Sequence, residues 1–234
     1  ISDCTSRYMR KYAFTADGSG HALVENCEHT EISNFRVTGG LKGGENGSEH
    51  AVFINNGLLP EPGYVKVTGV NATDLAECGV QLYNVTGEVY ANYITNALMD
   101  PAINGSASIT AVDCYNLKVY RNTISHDVKP TGRPSFGISV SGGDFTIEDN
   151  DINNTKDAGI WYRPDSESVN VYVRDNKIKN AGGHGIYGRS YGPGNTIETL
   201  DLSYNTITKN NPAFPPIELY TGDNADDLVI KTVI

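Results

Sequence analysis

The chain predicts an all-β fold, a single-stranded right-handed parallel β-helix (solenoid) of at least seven coils, and three observations carry that expectation. The phrase apolar-x-x-Asn-x-Ile recurs as Val89–Ile94, Val119–Ile124, Ile147–Ile152, Val173–Ile178 and Leu202–Ile207. Its asparagines, Asn92, Asn122, Asn150, Asn176 and Asn205, are separated by 30, 28, 26 and 29 residues, a period that marks stacked repeats. A second phrase of alternating residues sits between the first ones: GVQLY from Gly79, GISVS from Gly137, GIWYR from Gly159, GIYGR from Gly185 and PIELY from Pro216. Strict alternation makes each a strand with one buried and one outward face.

The elements follow in order. Residues 1–21 are expected to form an N-terminal cap or partial coil, and residues 22–234 the β-helix domain. Degenerate copies of the Asn phrase put Phe35 and Val70 at the Asn position, and looser strands start at Ala51 and Ser108. The predicted inward column is Val52/Ile54, Val80/Leu82, Ile109/Ala111, Ile138/Val140, Ile160/Tyr162, Ile186/Gly188 and Ile217/Leu219. The repeating Asn fits a tight interior turn, its amide bonding backbone and the Asn of the next coil. Segments of variable length, 100–106, 127–135 and 190–195, read as loops leaving the coil edges.

Composition narrows the function classes. The 234 residues carry a formal net charge of −10, which argues against nucleic acid or an anionic membrane surface as partner. No apolar run is long enough to span a bilayer, and Ile1 in place of Met suggests a processed product or a fragment. Cys4, Cys27, Cys78 and Cys114 allow two disulfides or free buried thiols and match no zinc spacing. N-x-[ST] matches at Asn46, Asn71, Asn84, Asn104 and Asn153 lean towards a secreted or cell-surface protein.

The alternating Asn and Gly-Ile phrases resemble the right-handed parallel β-helix superfamily of pectate-lyase-like and periplasmic NosD-like proteins, from about Ala22 onward. The resemblance implies polysaccharide lyases, hydrolases and epimerases, with viral tailspikes and surface adhesins among the rest. Neither a pectate-lyase calcium constellation nor the Asp-Pro-His signature of alginate epimerases is present. No cofactor is called for; calcium would suit the acidic residues but has no motif, and no metal site can be named.

The outward residues of the Gly-phrase strands are expected to line one strip: Phe53/Asn55, Gln81/Tyr83, Thr110/Val112, Ser139/Ser141, Trp161/Arg163, Tyr187/Arg189 and Glu218/Tyr220. Aromatic faces suit pyranose rings and guanidinium forks suit carboxylates. Gln81, Tyr83, Trp161 and Tyr220 are therefore candidate substrate-binding residues. Flanking loops add His126, Asp127, Lys129, Arg133, Lys156 and Asp157, and His184 precedes Gly185. Such a basic gathering on an acidic protein implies an anionic ligand. His21, His29 and His50 have no evident partner, so surface or core packing is expected for them.

The strip predicts binding and cleavage of an acidic, uronic-acid-containing polysaccharide. In β-elimination Arg163 and Arg189 would neutralise the carboxylate while His184 or Tyr187 exchanges protons. Hydrolysis would need Glu218 and a second carboxylate, from Asp157 or Asp127, across the bond. The alternative is a non-catalytic surface adhesin, sheath or tailspike-like protein. Its basis is the strand-like tail Leu228–Ile234, an uncapped solenoid end able to self-associate.

Overall fold

The computed structural model describes residues 22–34, 36–38, 50–75, 77–98, 107–127, 135–165, 168–189, 196–208, 211–220 and 229–230. The expected cap at 1–21, most of the tail at 228–234, His21, Lys129, Arg133 and the loops at 100–106 and 190–195 lie outside them. Every described element is a strand, and the strands stack into three parallel sheets of 8, 8 and 7 strands. Each coil contributes one strand to each sheet in turn. Coil 3, for example, runs Val80–Tyr83, Val85–Tyr90, Tyr93–Thr95. Seven coils are complete, and Ile217–Tyr220 with Val229–Ile230 begins an eighth. The Gly phrases form the first sheet and the Asn phrases turn the chain from the second sheet into the third.

That turn needs only two residues because the first adopts a left-handed conformation. Ala91, Arg121, Asp149, Asp175 and Tyr204 have φ of 52°, 54°, 54°, 56° and 57°, strained values for residues with a Cβ. The Asn that follows offsets this strain. Asn122 Nδ2 donates to Val89 O at 3.0 Å and to Asn150 Oδ1 at 3.0 Å, and Asn150 Oδ1 also accepts the Asn122 amide at 3.0 Å. The same pattern continues from Asn92 through Asn205, and at the degenerate coil the Val70 amide donates to Asn92 Oδ1. The expected ladder is therefore continuous, and it satisfies buried backbone groups that a turn leaves open.

The two phrases are also physically coupled. A Cβ at Gly79 would lie 2.6 Å from Ile94, and at Gly137, Gly159 and Gly185 it would lie 2.5, 2.4 and 2.6 Å from Ile152, Ile178 and Ile207. The Gly of each strand is thus the seat for the Ile of the Asn phrase in the same coil. Ser108 takes the Gly position in coil 4, where the chain also differs at its closing corner. That corner carries a second ladder, Asn96 bonding Asp74 and Asp127, and Asn180 bonding Asn154, into which coil 4 inserts His126 ahead of Asp127.

The predicted inward column is buried through Ile186/Gly188. Tyr162 is accommodated because its ring occupies the space beneath Gly188, where a Cβ would come within 2.4 Å. The last pair departs from the expectation: Ile217 and Leu219 are 38% and 39% exposed. Their strand pairs on one side only, with Ile186–Arg189, so no further coil in this sheet covers them among the described residues. Cys78 and Cys114 are buried thiols outside any disulfide and Cys27 is disulfide-bonded, so two disulfides do not form. Arg121 pairs with Asp149 at 3.3 Å and Asp151 stands opposite Lys177, so charges are paired between neighbouring coils.

Candidate functional site

The outward strip of the first sheet is not one continuous groove. Register places Phe53, Gln81, Thr110, Ser139, Trp161, Tyr187 and Glu218 in one row, as alternation requires. Its middle is closed to solvent, however: Gln81, Thr110, Ser139 and Ser141 are 8%, 2%, 4% and 3% exposed. Alternation gives a side chain's direction and not its access to water. Tyr83 and Trp161 stand three coils apart, about 14 Å at the strand spacing, so the face divides into two patches.

The patch at coils 5 to 8 gathers most of the candidate residues. His184 lies over Tyr187, ring centroids 4.9 Å apart at 18°, with Phe214 edge-on at 5.0 Å. Its Nδ1 is 3.1 Å from the Pro215 carbonyl; because a carbonyl only accepts, that nitrogen carries the proton. Nε2 then faces Glu218 at 3.2 Å. Beside this pair, Arg189 sits over the Tyr220 ring at 5.2 Å. Trp161 stacks on Phe136 at 5.7 Å, and Arg163 packs over Trp161 at 5.8 Å. Arg163 also bonds Asp165 at 2.8 Å, so much of its charge is already balanced. A histidine–glutamate pair, two arginines and a row of aromatic faces thus share one surface.

The sequence model of the family described as right handed beta helix region matches the chain over residues 1–163 and 50–226. The chain belongs to this family. No curated protein and no solved structure matches it significantly. Within the right handed beta helix family, membership accounts for the scaffold, and the patch has to be read from its own residues.

Several expected site residues lie elsewhere in this β-helix. Gln81 and Tyr83 bond each other at the far end of the sheet, where burial raises the Tyr83 pKa although the Gln81 bond opposes it. His126 was expected on a loop beside the groove, but it is 2% exposed. It is an extra residue at the closing corner of coil 4, with Nε2 3.2 Å from Ser108 Oγ. Asp127 occupies the rung of the corner ladder, bonding Asn96 through side chain and amide. The Asp157 carboxylate accepts the Ser135 amide at 2.8 Å. Both acids are thereby committed to turns.

A concave surface that the outward-strip argument missed lies on another edge. A cleft of about 510 Å³ between the first and second sheets is lined by Pro60, Glu61, Pro62, Asn84, Thr86, Tyr115 and Asn116. The turn prolines and the repeated left-handed Asn at this corner were its only signal. Asn84, one of the N-x-[ST] matches, donates its amide to Asn56 O and Leu59 O, which makes it a structural turn residue. The cleft holds no exchangeable pair comparable with His184 and Glu218.

Proposed function

We propose that the chain is a secreted or cell-surface protein that binds and cleaves an acidic, uronic-acid-containing polysaccharide at the patch of coils 5 to 8, by β-elimination. The observation that carries this reading is the His184–Glu218 pair beside Tyr187, two strand positions from Arg189. The Arg189 guanidinium neutralises the uronate carboxylate, which acidifies the C5 proton. Substrate takes the place of Glu218 against His184 Nε2, which, oriented by its Nδ1 bond, accepts that proton, and the returning Glu218 carboxylate balances the imidazolium that results. The C5–H electrons form the C4–C5 double bond, the C4–O bond breaks, and the Tyr187 hydroxyl protonates the leaving oxygen. Trp161 and Tyr220 offer ring faces to neighbouring sugars.

Elimination is preferred to hydrolysis on spacing. Hydrolysis needs two carboxyl groups about 5 to 9.5 Å apart. Asp165 lies two coils and four strand positions from Glu218, about 16 Å between backbones, and the Asp157 carboxylate is held by the Ser135 amide. His184→Ala and Arg189→Ala are each expected to lower release of unsaturated, ultraviolet-absorbing products from uronate polymers at least about hundredfold. Undiminished release from both variants would overturn the assignment.

The exposed Ile217 and Leu219 favour a second reading, a non-catalytic adhesin, sheath or tailspike-like component docked at that end of the solenoid. Light scattering separates the two: a monomer that cleaves polymer supports the first, a large assembly without cleavage the second.

A further inference from the structure

The other patch on the same face has a different chemistry. His50 opens coil 2, and Glu77 and Cys78 open coil 3 directly above it, where the Ala51 amide donates to Cys78 O at 3.2 Å. One coil period therefore brings together residues that no short motif links. His50 Nε2 lies 3.4 Å from Glu77 Oε2, and one donor atom from each of His50, Glu77 and Cys78 falls within 4.8 Å of the other two. Cys78 is fully buried, while the His50 and Glu77 side chains are 13% and 16% exposed. Aromatic rings close one side, Phe53 packing on His50 at 5.2 Å and Tyr83 on Phe53 at 5.9 Å, while the Cys78 sulfur lies 3.6 Å from the buried Thr110 hydroxyl.

We propose that His50, Glu77 and Cys78 form a binding site for a divalent transition-metal ion of the zinc class. The donor set is one imidazole nitrogen, one carboxylate oxygen and one thiol sulfur, the three ligand types zinc takes. At ordinary zinc–ligand lengths, donors at the corners of a tetrahedron stand about 3.3 to 3.6 Å apart. The His50–Glu77 separation already has that value, and the sulfur needs to close by little more than 1 Å. A thiolate and an imidazole select against calcium and magnesium, which take oxygen donors. Binding expels the Cys78 proton, and the +2 charge compensates the buried thiolate and the adjacent carboxylate. Three protein ligands leave the fourth position to water or to an incoming ligand. This site is independent of the His184 patch, so either reading can fail alone.

The test uses the untagged full chain, handled without air and without added reductant so that the Cys27 disulfide stays intact, and stripped of metal by chelator. Titration with cobalt(II) is expected to give one equivalent bound, with a thiolate-to-cobalt charge-transfer absorption that zinc(II) abolishes by displacement. Cys78→Ser removes that absorption and Cys114→Ser, at the other free thiol, keeps it. Glu77→Gln, a conservative change at a side chain that reaches solvent, folds normally by circular dichroism and binds cobalt at least about tenfold more weakly. Absence of the charge-transfer absorption in the unmodified chain overturns the site, and so does unaltered affinity in Glu77→Gln. Should Cys78→Ser not fold, the Glu77→Gln titration decides alone.

Discussion

His50 and His184 occupy the same column of the same sheet, each two residues before an inward residue of the registered row, five coils and about 24 Å apart. Each packs on an aromatic ring three residues on, Phe53 or Tyr187, and each turns Nε2 towards a glutamate, at 3.4 Å to Glu77 and 3.2 Å to Glu218. The backbone thus presents two matching histidines, but the register aligns His50 with Cys78, one residue after Glu77, and His184 with Pro215, three residues before Glu218, and the neighbouring coils make the pairs unlike. Next to His50 the following coil supplies the buried Cys78 thiol. Next to His184 it supplies the Pro215 carbonyl, and Arg163 and Arg189 lie along the same strands. In a solenoid, the chemistry of a position is set by what stacks one period away.

Both pairs depend on the ladder that holds the coils in register, so the most damaging change lies between them. Asn150 is 1% exposed, its Nδ2 donates to Val119 O, Glu148 O and Asn176 Oδ1, and its Oδ1 accepts from Asn122. Asn150→Ala takes these partners from the buried Asn122 amide and Val119 carbonyl, while Glu148 O keeps the Arg121 amide and Asn176 Oδ1 keeps the backbone amide of residue 150, so the cost is about 1 to 3 kcal/mol for each of the two. A loss of about 2 to 6 kcal/mol is expected in urea unfolding, with both patches disappearing in a single transition. Two separate transitions would show instead that the ends are independent units, each with its own stability.

The ladder and the inward column were legible because they obey a period. Asn92 to Asn205 mark the turn, and Gly79, Gly137, Gly159 and Gly185 recur because each must seat an Ile. The site was legible only as direction. Period-two reasoning correctly turned Thr110, Ser139 and Ser141 outward yet could not foresee that they are shut off from solvent. Asp127 and Asp157 read as loop carboxylates because turn bonding leaves no periodic trace at one residue. His50 seemed to lack a partner, since Glu77 and Cys78 become its neighbours only when the coil period is applied to the weakly repeating region. Ile217 and Leu219 keep the inward pattern, but burial needs another layer, and alternation says nothing of where a stack stops.

Coil 4 separates the two patches, and it carries an acid sensitivity that neither has to share. Burial lowers the His126 pKa from 6.5 to about 4, opposed by Asp127, and its Nδ1 finds no hydrogen-bond partner among the described residues. The folded chain therefore keeps His126 neutral while the unfolded chain takes up a proton as pH falls below 6.5. Stability is full above that pH and is lost progressively down to about pH 4, amounting to about 3 kcal/mol. His126→Gln should flatten the fall in unfolding free energy between pH 7 and 4. A variant with the same slope as the unmodified chain would move the acid-sensitive group elsewhere and leave coil 4 a passive spacer.

The smallest expected effect bears on the anion binding proposed for the His184 end. Arg163 is held at 2.8 Å by Asp165 in a half-exposed pair, and such pairs add at most about 1 kcal/mol to stability. Asp165→Asn removes one negative charge and relieves Arg163 of its carboxylate partner. The folded state should change by only a few tenths of a kcal/mol, while affinity for a uronate oligomer rises about two- to fivefold at low salt. That gain should shrink as ionic strength shortens the range of the charge. Calorimetric titration at two salt concentrations measures both. Affinity unchanged at either salt would take Arg163 out of the binding surface and leave Arg189 as the cation that distinguishes this end of the sheet from the His50 end.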